Sequence, residues 1–125
     1  MILKNQLYQI EHSQESDGTQ QFTIRLLEDC PIYRAHFPGQ PITPGVCIVQ
    51  IVQELLELTV GQQLEISEVK NVKFLNILTP KDNPKVDIVF TAIETSDESV
   101  SAKAEVKDAT TVFTTVSVVC QPVKR

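Results

Sequence analysis

The chain has 125 residues, 42% of them hydrophobic and 22% charged, which suits one globular domain with its own core. A net charge of -5 and a pI near 4.9 argue against nucleic acid as a main partner, because phosphate binding needs a basic footprint. No apolar run reaches the ~18 residues of a membrane span, and Cys30, Cys47 and Cys120 lack the spacing of a disulfide framework or a zinc site.

The first residues, Met1-Ile2-Leu3-Lys4-Asn5-Gln6, do not follow the charged-then-apolar plan of a signal peptide. The chain therefore reads as cytoplasmic, with buried reduced thiols. Residues 5–12 and 20–28 predict a hairpin. Phe22, Ile24 and Leu26 alternate with Thr23 and Arg25, and Ser16-Asp17-Gly18 supplies the turn. Residues 44–60 carry the one clear helical pattern, with Gln50, Gln53, Glu54 and Glu57 spaced to share a polar face. Thr43 is the expected N-cap, Pro44 suits the first helical position, and Gly61 is the expected stop.

A mixed apolar strand is expected over 66–78, ending near Pro80. Val86-Ile88-Phe90-Ala92 and Val100-Ala102-Ala104-Val106 then alternate with polar neighbours around the turn-like Ser96-Asp97-Glu98-Ser99, and a last strand runs from about Thr111 to Cys120. The steady period of two implies an antiparallel sheet covered on one face. The expected class is α+β, with roughly five or six strands curled around one helix, as a single domain over residues 1–125. Lys70, Lys73, Lys81 and Lys85 gather locally. They read either as a docking patch for an acidic partner or, more simply, as a solvated strand edge.

The chemistry concentrates in His36-Phe37-Pro38-Gly39-Gln40-Pro41-Ile42-Thr43-Pro44-Gly45. Its prolines and glycines fix the path of the loop and reduce the entropy lost in ordering it. His36 is thereby held at a set distance from a helix start, where the first amides lack intrahelical partners and the macrodipole is positive. A thioester carbonyl against the N–H of Gly45 or Val46 would be polarised, which acidifies the adjacent carbon for a neutral His36 to deprotonate. A hydrogen-bonded structural histidine at a strand–loop junction fits the same residues, and they leave both readings open. His12, beside the hairpin turn, reads as a surface residue. No phosphate loop, serine elbow or metal-ligand cluster is present in the sequence.

His36-Phe37-Pro38-Gly39-x-Pro41-x-x-Pro44-Gly45-Val46 resembles the signature loop of the bacterial beta-hydroxyacyl-acyl carrier protein dehydratases, which have the hot-dog fold. Asn71-Val72-Lys73-Phe74 through Pro80 resembles that family's following strand, and the order of elements agrees over about residues 5–120. The family's segment with a Pro-His-Arg ahead of the first strand has no counterpart. The resemblance implies a histidine base, here His36, and a Gly amide, here Gly45, holding the thioester oxygen, with Val46 and Phe37 beside the substrate. It also implies a helix acid contributed by the other subunit of a homodimer with shared active sites, open to further assembly.

Counting from Gly45, that acid should fall at position 50, where this chain has Gln50. An amide has no proton to give near neutral pH. The family commonly carries Gln four residues later, and here Glu54 stands there, about 6 Å along the helix on nearly the same face. The expectation is that Glu54 supplies the acid, through a water held by Gln50. The plainer account is that Gln53, Glu54 and Glu57 form the wet face of the helix. The implied activity is dehydration of 3-hydroxyacyl chains on acyl carrier protein to trans-2-enoyl thioesters, with no cofactor or metal. A hot-dog thioesterase and a catalytically impaired subunit that binds acyl carrier protein are the alternatives.

Overall fold

Alternation along the strands decides which side of the sheet is covered. Val100, Ala102, Ala104 and Val106 are all buried, while the residues between them are half-buried or exposed. The same rhythm places Val86, Ile88 and Phe90 on the inner face of the neighbouring strand, and Phe113, Val116, Val118 and Cys120 line the inside of the last. The computed structural model describes residues 2–123. Its elements are β1 (Tyr8–Ser16), β2 (Thr19–Leu26), α1 (Pro31–Ala35), α2 (Gly45–Val60), β3 (Leu64–Phe74), β4 (Lys85–Thr95), β5 (Val100–Lys107) and β6 (Val112–Pro122).

The strands form one six-stranded sheet in the order β1-β2-β4-β5-β6-β3, with every pairing antiparallel. Register follows the buried residues: Ile24 faces Val86, Ile88 faces Val106, and Ala104 faces both Phe90 and Val116. Register shifts interrupt β1 between Ile10 and His12, β4 between Phe90 and Ala92, and β3 twice. Such bulges bend and twist a strand, which lets the sheet wrap α2.

The buried stripe of α2 comprises Cys47, Ile48, Ile51, Val52, Leu55 and Leu56, with Glu54 among them. Leu55 and Leu56 are fully buried, and each aliphatic side chain of this kind contributes about 1.5–3 kcal/mol. One helix enclosed by an antiparallel sheet is the hot-dog arrangement, of class α+β. The helix stops at Gly61, whose φ of 76° is left-handed and whose N–H bonds to Glu57 O at 2.9 Å, as the sequence implies.

Several expectations are corrected. The helix start is capped differently: Pro44 is the N-cap, with no side-chain cap bond, and the Thr43 hydroxyl pairs instead with the Tyr33 hydroxyl at 2.9 Å. A second helix, α1, is present, too short at 5 residues to leave a periodic signal. β3 starts and ends earlier than 66–78, and residues 75–79 lie outside any strand. The first hairpin strand lies at Tyr8–Ser16 rather than 5–12. Lys70 and Lys73 are exposed on β3 at the sheet edge, and Lys85 pairs with Glu11 at 3.2 Å.

Candidate functional site: a histidine loop at a helix start

The loop between α1 and α2 is held at both ends and across its middle. His36 closes α1, its backbone N–H bonded to Ile32 O at 3.0 Å. Phe37 and Gln40 exchange backbone hydrogen bonds at 3.0 and 2.9 Å across a turn in which Gly39 takes a φ of 78°. The Ile42 N–H bonds to His36 O at 2.7 Å, and Thr43 N–H bonds to Leu78 O at 2.8 Å. The peptide joining His36 to Phe37 is cis.

The His36 ring is exposed, and its Nδ1 lies 3.3 Å from Ile32 O. A carbonyl only accepts, so Nδ1 carries the hydrogen in the neutral ring and Nε2 keeps its lone pair. This is the tautomer a general base needs. The Phe37 ring is tilted beside it at a centroid distance of 5.7 Å and is 55% exposed.

At the helix start, Cys47 and Ile48 donate their N–H groups to Pro44 O at 3.0 and 3.1 Å. The Gly45 and Val46 N–H groups have no partner among the described residues. They are the donors that the first turn of any helix leaves over, and no side chain caps them. A Cβ at Gly45 would stand 2.6 Å from Phe74 Cζ, so the ring of Phe74 at the end of β3 reaches the helix start only because position 45 is glycine. Beside them opens a cleft of about 580 Å³ lined by Ile42, Thr43, Gly45, Ile48, Phe74 and Ile77 among others. Its apolar rim and polar helix terminus suit an acyl chain ending in a carbonyl.

The Gln50–Glu54 pair lies farther along α2 and is brought together directly, Gln50 Nε2 donating to Glu54 Oε2 at 2.9 Å. Glu54 is 7% exposed, so it is not part of a wet face. The same Oε2 accepts the Leu3 N–H at 2.7 Å, while Oε1 accepts the Lys4 N–H and the Tyr8 hydroxyl, each at 2.9 Å. Burial, then the bond to Glu54, drives the Tyr8 phenol pKa far above its ordinary value. Among the described residues, His36 forms no hydrogen bond to Glu54 within the chain.

The rest of that helix face is likewise engaged: Gln53 donates to Leu64 O at 2.8 Å and Glu57 accepts from Leu64 N–H at 2.7 Å. Tyr8 and the amino-terminal turn are the partners that sequence reasoning missed. The available signal was a charged residue between Val52 and Leu55 on an otherwise apolar helix stripe. His12 is exposed and bonds Gln14 at 3.3 Å, as expected of a surface residue. Among the described residues, no group of three His, Cys, Asp or Glu could hold a metal, and no helix is long and apolar enough to cross a membrane.

The chain has relatives among known proteins. The 3-hydroxyacyl-acyl carrier protein dehydratase FabZ of Acetivibrio thermocellus is 26% identical, over 86% of this chain and 83% of its own. FabZ of Clostridium acetobutylicum is 27% identical, over 75% of this chain and 69% of its own. Among solved structures, a chain of the dehydratase heterocomplex ApeI:P from Xenorhabdus doucetiae superposes with a TM-score of 0.71 at 16% identity, covering 90% of this chain and 96% of that one. The thioesterase HI1161 from Haemophilus influenzae has the same fold at a TM-score of 0.67 and 12% identity, over 96% of this chain and 81% of its own. Residues 11–114, from the first hairpin through the histidine loop to the start of β6, match the ApeI-like dehydratases, and the chain belongs to that family.

Proposed function

We propose that the protein dehydrates 3-hydroxyacyl thioesters carried on acyl carrier protein to trans-2-enoyl thioesters. One observation supports this reading: uncapped helix-start amides, with Gly45 on the wall of an apolar cleft, share one braced loop with an exposed histidine whose Nε2 lone pair is available. The Gly45 and Val46 amides receive the thioester oxygen and stabilise the charge that develops there. His36 Nε2 takes the C2 proton. The electron pair of that C–H bond becomes the C2–C3 double bond, the C3–O bond breaks, and the hydroxyl leaves as water after gaining a proton.

Glu54 is the proposed source of that proton, with Gln50 positioned to hold the departing hydroxyl or a bridging water. Phe37 lies beside the base as a wall for the substrate. Glu54 accepts four hydrogen bonds in the single chain, so it must lose a donor before it can carry a proton. A homodimer would let the base of one protomer work with the helix of its partner, and a sheet edge left open at β3 favours pairing. The acid–base steps require no cofactor.

A second reading is favoured by the same carboxylate. With Glu54 fully engaged and an amide at position 50, the chain also fits a subunit that lacks its own acid and pairs with an active dehydratase. That the ApeI:P dehydratase is a heterocomplex supports it. The test is incubation of the purified protein with 3-hydroxyacyl- and saturated acyl-acyl carrier protein, followed by mass spectrometry. Enoyl product that disappears in His36→Ala supports the first reading. Released thiol favours a thioesterase, and no product favours the silent subunit. Loss of product in His36→Ala with full activity in Glu54→Gln would remove Glu54 from the mechanism.

A further inference from the structure

The Tyr33–Thr43 hydrogen bond has no part in the chemistry above, yet it spans the loop that carries it. Tyr33 lies on α1, three residues before His36, and Thr43 lies two residues before Gly45. Both are buried, at 2% and 4% exposure, and their hydroxyls are 2.9 Å apart. We propose that Tyr33 is a positioning residue: its hydroxyl, bonded to Thr43, sets the separation between the His36 base and the Gly45 and Val46 amides, an inference that rests on the reaction proposed above.

Two physical consequences follow from this bond. It joins α1 to the entry of α2 across a loop that, among the described residues, is otherwise closed by the Ile42–His36 backbone bond and a short turn. It also takes up the hydroxyl nearest the helix start. Serine and threonine hydroxyls accept from helix-start amide N–H groups readily when they have no other partner, and Thr43 is the one hydroxyl residue between His36 and Gly45. Committed to Tyr33, it leaves the Gly45 and Val46 amides for a ligand. Burial pushes the Tyr33 phenol up to about 12, so it remains an O–H at neutral pH.

The alternative is that the pair merely satisfies two buried hydroxyls. Tyr33→Phe and Thr43→Val each remove one hydroxyl and keep the shape, while Thr43→Ser keeps the bond. Four quantities are measured for each variant: amide hydrogen exchange at Ile42 by NMR, kcat and KM with 3-hydroxyacyl-acyl carrier protein, and Tm. A positioning role predicts faster exchange at Ile42 and a kcat about ten- to a hundredfold lower at unchanged KM in Tyr33→Phe and Thr43→Val, since a misplacement near 1 Å costs on that order. Thr43→Ser restores both. Exchange and kcat equal to wild type in Tyr33→Phe, with only Tm reduced, would overturn the proposal. If the wild-type protein forms no enoyl product, the proposed reaction fails by itself, and Ile42 exchange alone decides whether the bond holds the loop.

Discussion

Removing the Glu54 carboxylate should cost more stability than removing any other charged side chain of the described residues. Glu54→Ala deletes an acceptor that serves the Leu3 and Lys4 amides, the Tyr8 hydroxyl and the Gln50 amide at 2.7 to 2.9 Å. Each buried donor left without a partner costs about 1–3 kcal/mol. Leu3 and Tyr8 are almost wholly enclosed, so at least two donors pay near the full amount. The chain has one escape, which is to detach residues 2–7 and hydrate the donors. That exposes Leu3 and Leu7, at about 1.5–3 kcal/mol each, so it offers no cheaper route. The expected loss is about 2–6 kcal/mol, or a fall in Tm of roughly 10–20 °C for a chain of this size. Tyr8→Phe should lose about 1.5–3 kcal/mol, the value of a bond to a charged group. The double variant should lose less than the sum, because the two share one interaction. Urea denaturation followed by circular dichroism measures all three. A Glu54→Ala midpoint within about 0.5 kcal/mol of wild type would refute the claim that this carboxylate holds the amino-terminal turn to α2.

Gly45→Ala places a Cβ 2.6 Å from Phe74 Cζ, so the exposed ring must swing aside; we expect a small change in Tm but strong loss of enoyl formation, partly recovered in the Gly45→Ala, Phe74→Ala double variant. Cys30, Cys47 and Cys120 are all buried, and burial raises the Cys47 and Cys120 thiols, the latter to about 11. Native protein at neutral pH should therefore react with a thiol reagent far more slowly than the same protein in urea, and rapid labelling of Cys47 would contradict its placement. Asp108 is held below the usual carboxylate value, first by the Thr110 and then by the Thr111 N–H. A lowered folded value means its contribution is present above the ordinary range and is lost as pH falls through the folded value. An NMR titration of the Thr111 amide should thus show a midpoint below 3.8.

The period-two strands and the apolar stripe of α2 are legible because each is long enough for its rhythm to stand out. Val100 to Val106 is the plainest instance. Elements without a rhythm were lost: α1 completes little more than one turn, and the bulges that shift β3 twice come from packing around the helix rather than from any local residue preference. In the loop, proline and glycine mark a constrained path from His36 to Gly45, but the residues alone fit a structural histidine as well, and only the family resemblance assigns them chemistry. The partners of Glu54 were not legible, because they lie 46 to 51 residues away in sequence. Spacing on a helix tells which residues share a face. It does not tell whether water or another segment meets that face.

Thr43 shows why a local rule misleads at this particular place. A threonine followed by proline at the entry to a helix fits the cap preference well, yet here a proline occupies the cap and the hydroxyl points to a tyrosine on another helix. Capping would stabilise α2 by about 1 kcal/mol. The fold forgoes that and leaves the Gly45 amide on the wall of a cleft, at the glycine where an aromatic ring can approach the helix start. Local preference and global structure part company most often where a site needs groups left unsatisfied until a ligand arrives. By that reasoning the missing cap is a stronger pointer to carbonyl binding than the histidine, since a buried or surface histidine has many uses and an uncapped helix start beside an apolar cleft has few.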